Sequence, residues 1–405
     1  MPTRQKYPAP KKLLRSASLL IRTIVCLIIG TTNSESWNAQ GKNIYAADLE
    51  NPLNVCWQYR TENIKPLIAS GASDNDLEIK TIDKVFFSAS DGILKPISST
   101  SGQINWQAEV GGNLKMQYAA LNKEIFVVSE VLEVKEIGKT TNPGQLIKVS
   151  ALDTSNGIAR WQNEIVLKEK SEQFYLATSE KNLIIVSGKG EIIVLKISDG
   201  TISRRTFTGT NLSSNPVFNA DRLSFGTAKK RIVSLENTTF TKIYDVESDE
   251  TAAVLASDEA GNFLWGDARG FVYHADRRGR KGWKFRSGGG IVGIIENEMG
   301  WLIISQDNYL YLLSKAGKLH WKKRLAERLS YQPTISGRYI VLAADTDSEV
   351  LIVDLLSGRT VNKISFRANV FLRASPFIFG EMIVLLTNEG FTGYTTSLCA
   401  ARANN

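Results

Sequence analysis

The residues of this 405-residue chain that could do chemistry are few: two histidines, three cysteines, one acidic triplet and one glycine run. His274, in "FVYHAD", and His320, in "GKLHWKK", stand apart from each other and form no His-x-x-x-His pair. Each falls in a stretch that alternates like a strand, where an imidazole facing solvent or a neighbouring sheet needs no metal and no role as a base. Asp345, Asp347 and Glu349 in "DTDSE" space their carboxylates as the start of a calcium loop does, but the glycine and distal glutamate of the EF-hand form are missing. A polar turn between two strands needs the same residues. "SGGG" at 287–290 could bring backbone amides to a phosphate, yet no helical segment follows to add its dipole, and a linker is the simpler reading. Cys-x-x-Cys and Gly-x-Ser-x-Gly are absent. The expectation is a chain with no catalytic residues, no metal and no cofactor.

Charge adds a binding candidate. The formal +8 looks suited to polyanions, but six basic residues and no acidic one lie in the first 22 positions, and the remaining body is nearly balanced. That excludes a global electrostatic argument for nucleic acid. Basic residues still gather in two later segments, Arg277, Arg278, Arg280 and Lys281 in one, Lys315, Lys318 and Lys322 in the other. They are either solvated turn residues or a patch for an acidic protein surface or lipid head groups.

Residues 1–34 read as a signal peptide or short targeting segment: a basic stretch, the apolar run "TIVCLIIG" at 23–30, then small polar residues. The run is too short to span a bilayer. An uncleaved anchor and a transit peptide are the alternatives, and Cys26 lacks the small preceding residue of a lipidated cysteine. The expectation is export to the periplasm or cell envelope, with peripheral membrane association open. Residues 35–53 read as a linker and 400–405 as a tail.

The elements that must position these residues repeat. A glycine followed four residues later by a tryptophan recurs as Gly102/Trp106, Gly157/Trp161, Gly279/Trp283 and Gly317/Trp321. Weaker copies keep the register as Gly200/Arg204, Thr239/Ile243 and Gly358/Asn362, giving seven units of roughly 40 residues. Each unit holds four short runs rich in Val, Ile and Tyr, bounded by Gly, Asp and Ser, as in "SYQPTISGRYIVLAADTDSEVLIVDLLSGRTVN". These are strand signals, and no helical period competes. Four strands per unit make one propeller blade. At the ends, 373–397 supply three strands without a fourth, and "NVCWQYRT" at 54–61 is a Trp-bearing fourth strand without a blade. Lending one to the other closes the ring and removes its edges. The fold expected is all-β: one eight-bladed β-propeller over 54–399, closed by an N-terminal strand that completes the C-terminal blade.

"LDTSNGIARW" at 152–161 and "NPVFNADRLSFGT" at 215–227 resemble the repeat of the quinoprotein-type, or PQQ-like, β-propeller family. The resemblance implies that Trp57, Trp106, Trp161, Trp283 and Trp321 pack flat between blades, with glycine giving the turn its positive φ. Quinone enzymes of the family carry an adjacent Cys-Cys pair, which this chain lacks. The reading is therefore the non-catalytic branch, similar to the propeller of the outer-membrane β-barrel assembly machinery: a monomeric scaffold that holds a protein partner with its rim loops. A quinone- or small-molecule-dependent oxidoreductase with its site in the central channel is the alternative. Aligning the last blade on its neighbours sets Cys56 and Cys399 across a tight turn, a separation that a disulfide accepts. A Cys56–Cys399 bond in an oxidising compartment is expected.

Overall fold

Continuous apolar runs such as "NLIIVS" and "GWLIIS" cannot serve a sheet with one wet face; they need neighbours on both. In the computed structural model they have them: Asn182–Ser187, Arg222–Thr227 and Gly300–Ser305 are buried almost throughout. The last strands of the same units, Ile202–Phe207, Lys281–Arg286 and Leu319–Arg324, are largely exposed and polar. Each unit is thus a blade whose inner strands lie between neighbours and whose fourth strand faces solvent.

The structure describes residues 49–399 except 61–64, 67, 70–84, 91, 112, 122, 132–144, 180, 220, 330, 344–348 and 398. The chain divides into two units, Met1–Ile44 and Tyr45–Asn405, and all described residues belong to the second. The targeting segment with Cys26, most of the 35–53 linker, Asp345, Asp347 and the 400–405 tail lie outside them.

Eight antiparallel sheets follow one another along the chain. Blades 1 to 7 occupy 65–109, 113–166, 174–207, 217–247, 252–286, 291–324 and 334–365. Blade 8 takes its inner three strands from Phe377–Phe379, Met382–Thr387 and Gly390–Thr395, and its fourth from Asn54–Arg60. The pairing runs from Asn54 opposite Thr395 to Arg60 opposite Gly390. This is the eight-bladed propeller closed by its N-terminal strand that the repeats predict. Blade 2 departs from four strands, because Ile68–Ala69 adds a parallel strand beside Asn113–Leu121. In blade 1 the fourth strand shrinks to Ala108–Glu109. Pro96 lies in the middle of its partner, Ile93–Ser98, and has no N–H to offer a ladder.

The core is a circuit of interblade layers. Buried apolar side chains join blades 2 and 3, 3 and 4, 4 and 5, 5 and 6, 6 and 7, and 7 and 8 in successive clusters. A further cluster joins blade 8, through Trp57, Phe377 and Phe391, to Leu94 and Ile97 of blade 1 and Ile125 of blade 2. Every blade has two packed neighbours, so none ends as a free face. Among the described residues no helix is long and apolar enough to cross a membrane.

Candidate functional site: the turn face

The turns between third and fourth strands lie together on one face with the turns between first and second strands. Each is built by the same local chemistry. A polar side chain at its start accepts backbone N–H groups: Asp153 from Ser155, Asp276 from Arg278 and Arg280, Asp354 from Ser357, all at 2.8–2.9 Å. Glu236 does so most completely, with the amides and hydroxyls of Thr238 and Thr239 holding its pKa down to about 2. The turn then closes through a residue at positive φ, glycine at 102, 157, 200, 279, 317 and 358.

The glycine and tryptophan of one turn do not touch each other. Each tryptophan lies on the glycine of the next blade: Trp57 on Gly102, Trp106 on Gly157, Trp161 on Gly200, Trp283 on Gly317, Trp321 on Gly358. A methyl group on Gly358 would stand 2.9 Å from the Trp321 ring, and the other four would come closer. Each indole N–H donates to a carbonyl of the turn it covers, Trp57 to Ser99 and Trp106 to Thr154 at 2.8 Å, Trp321 to Leu355 at 2.9 Å, Trp283 to Lys315 at 3.0 Å. The glycine is thus needed twice, for φ and for room.

The weaker copies use other chemistry at the same joint. In blade 4 the register is Phe240/Tyr244, one residue later than the Thr239/Ile243 expected from sequence, because Phe240 is the positive-φ residue at 53°. Arg204 of blade 3 stacks 5.7 Å above its ring and donates to Thr238 O at 2.9 Å. Tyr244 in turn lies on Gly279 and begins a ladder, Tyr244–Phe263–Trp265–Tyr273, with centroids 4.9, 5.7 and 5.2 Å apart. In blade 7, Asn362 faces no glycine turn, since blade 8 receives its fourth strand from elsewhere. Its amide donates to Leu49 O at 2.9 Å and Asn51 O at 2.6 Å, so the incoming N-terminal segment takes the place of the turn. Leu49 is fully buried there.

A β-bulge recurs where the fourth strand reaches the tryptophan position: between Val55 and Trp57, Ala159 and Trp161, and opposite Leu312/Leu313 before Trp321. The bulged residue is turned out of the ladder. In blade 6 it is His320, which is exposed. In blade 8 it is Cys56, and it meets Cys399 in a disulfide with Cα atoms 5.3 Å apart. The bond expected from sequence is present.

The other chemical candidates are used structurally. His274 stacks on Trp283 at 5.2 Å, its Nδ1 is buried without a hydrogen bond, and burial pushes its pKa down. In "SGGG" the Gly288 N–H donates to Asp307 Oδ2 at 2.7 Å, so a carboxylate of the protein stands where a phosphate would. No cluster of metal-binding side chains occurs among the described residues.

The basic residues divide. Arg280 pairs with Asp276 at 2.7 Å, Lys315 with Glu296, and Arg277 more loosely with Asp221 at 3.9 Å. Arg278, Lys281, Lys318 and Lys322 are exposed and have no carboxylate within ion-pair distance among the described residues. They occupy the turns and fourth strands of adjacent blades 5 and 6.

The family described as outer membrane protein assembly factor BamB matches residues 147–266 and 268–390. No curated protein matches the chain in sequence. Among solved structures, BamB from Moraxella catarrhalis is similar with a TM-score of 0.58 and 17% identity, covering 87% of this chain and 99% of that one. The computationally designed Ika8 protein gives a TM-score of 0.63 at 12% identity, over 84% and 98%. Quinohemoprotein alcohol dehydrogenase from Comamonas testosteroni gives 0.64 at 11%, over 90% and 79%. At these identities the likeness shows the fold alone. The family match spans more than half the chain, including the joints from Trp161/Gly200 to Trp321/Gly358, and the chain belongs to the BamB family of PQQ-like propellers.

Proposed function

We propose that this propeller is an exported, non-catalytic scaffold of the cell envelope, which assists assembly of envelope proteins by holding a protein partner on its turn face. The observation that carries the reading is the set Arg278, Lys281, Lys318 and Lys322, exposed basic side chains on neighbouring blades 5 and 6 with no carboxylate within ion-pair distance among the described residues. The family's description supports a role in assembly. The Cys56–Cys399 bond supports an oxidising compartment, where such bonds persist. Changing the four residues to Glu is expected to weaken capture of partner from envelope extract in a salt-sensitive way, with the melting temperature unchanged. Undiminished capture would return the patch to solvation alone. Incubation with pyrroloquinoline quinone and Ca²⁺ is expected to give no dye reduction.

A further inference from the structure

Between blades 4 and 5 the turn face opens into a crevice of about 410 Å³ lined by Arg222, Ile243, Arg277 and Arg278. Its floor is an arginine taken out of water. Arg222 is 5% exposed, and its guanidinium is held by Asp221 at 3.0 and 2.9 Å and by the carbonyl of Arg277 at 2.8 Å. Its bond to the Arg277 carbonyl ties the blade 5 turn to blade 4, and Arg277 and Arg278 of that turn line the crevice. Asp221 is the carboxylate within reach of Arg222 and Arg277, and Arg278 has none among the described residues. The crevice therefore carries an excess of positive charge. Its remaining wall is apolar. Ile243 is 42% exposed because the blade 4 bulge turns it outward, opposite the break in pairing between Ser234 and Leu235.

We infer that this crevice takes an acidic side chain next to an aliphatic one from a partner polypeptide, the carboxylate bound by Arg277 and Arg278 and the aliphatic group lying on Ile243. The inference rests on the scaffold reading and names what the scaffold grips. Guanidinium forks match carboxylates bidentately, and the volume suits a pair of side chains. A free inorganic anion would gain nothing from Ile243, so the apolar wall favours a polypeptide.

The test is anisotropy titration of the full chain with a fluorescein-labelled hexapeptide of alternating aspartate and leucine. Arg277→Ala with Arg278→Ala is expected to weaken binding by about tenfold or more, and Ile243→Ser by a few-fold. Lys318→Glu with Lys322→Glu, on the next blade, is expected to leave it within about twofold. All of these side chains are exposed, and unchanged melting curves show that each variant folds. Absence of saturable binding, equal loss in the Lys318/Lys322 variant, or binding indifferent to Ile243→Ser and competed away by inorganic phosphate would each overturn the inference. If the peptide fails while capture from envelope extract stays sensitive to the Arg278/Lys281/Lys318/Lys322 reversal, the crevice is wrong and the scaffold reading stands.

Discussion

Four residues separate Gly317 from Trp321 in sequence, yet each serves a different interface: Trp283 covers Gly317, and Trp321 covers Gly358. This explains why the two residue types recur together without touching. It also predicts coupling between blades. Gly317→Ala forces a side chain to φ 78° and into the Trp283 ring, and should cost about 2–4 kcal/mol. Trp283→Ala, at a half-buried site, should cost about 2–3 kcal/mol, and the double variant at least about 1 kcal/mol less than the two together, because the clash is gone. Strict additivity in urea unfolding would refute the joint. Glu236 supplies a pH signature. Its folded pKa of about 2 lies below the ordinary carboxylate value, so the stability it lends is fully present above about pH 4.5 and is lost as pH falls toward 2. Glu236→Gln should melt lower than the parent at pH 6 and lose less on going to pH 3; parallel curves would contradict this. Where glycine and tryptophan survive, their spacing shows the repeat, the family resemblance implies packing between blades, and the structure alone shows that each of these tryptophans covers the next blade's glycine. Phe240 hides the joint, since nothing in a phenylalanine announces a positive φ, and the blade 4 joint lies one residue later than the repeat predicts.

At the scale of elements, the bulge of the fourth strand decides which side chains leave the ladder. It directs Cys56 toward Cys399 and His320 into solvent, and it was invisible in an alternation pattern that counts residues as though pairing were regular. The sequence assigns the segment before Asn54 to a linker, 35–53. Its place comes from a requirement of closure: Asn362 has no neighbouring turn to cover, and the carbonyls of Leu49 and Asn51 supply one. Asn362→Leu should therefore cost about 1–3 kcal/mol, leaving two carbonyls without their donor. Denaturation indistinguishable from the parent would show that the segment merely rests on blade 7. The same accounting explains blade 1, whose Pro96 leaves only Ala108–Glu109 paired as the outer strand.

For the whole molecule, eight blades and a borrowed strand were readable because a fixed period leaves a remainder, three strands at one end and one at the other. The basic turns are readable as composition, but the pairing of Lys315 with Glu296 and of Arg277 with Asp221 is not, since Glu296 lies 19 residues away on another strand and Asp221 across a blade boundary. Blades 5 and 6 are held together by their shared apolar layer, and closure of the ring adds a second packed neighbour on the far side of each. The Cys56–Cys399 bond fastens that closure across a sequence separation of 343 residues. Chain-entropy reasoning assigns such a loop about 5–6 kcal/mol. The most direct measurement is intact mass of the non-reduced protein, recovered from an oxidising compartment, after denaturation in the presence of a thiol-alkylating reagent. The account predicts no alkylation at Cys56 or Cys399 until a reductant is added, and then both; two alkylated cysteines before reduction would contradict the closed ring's clasp.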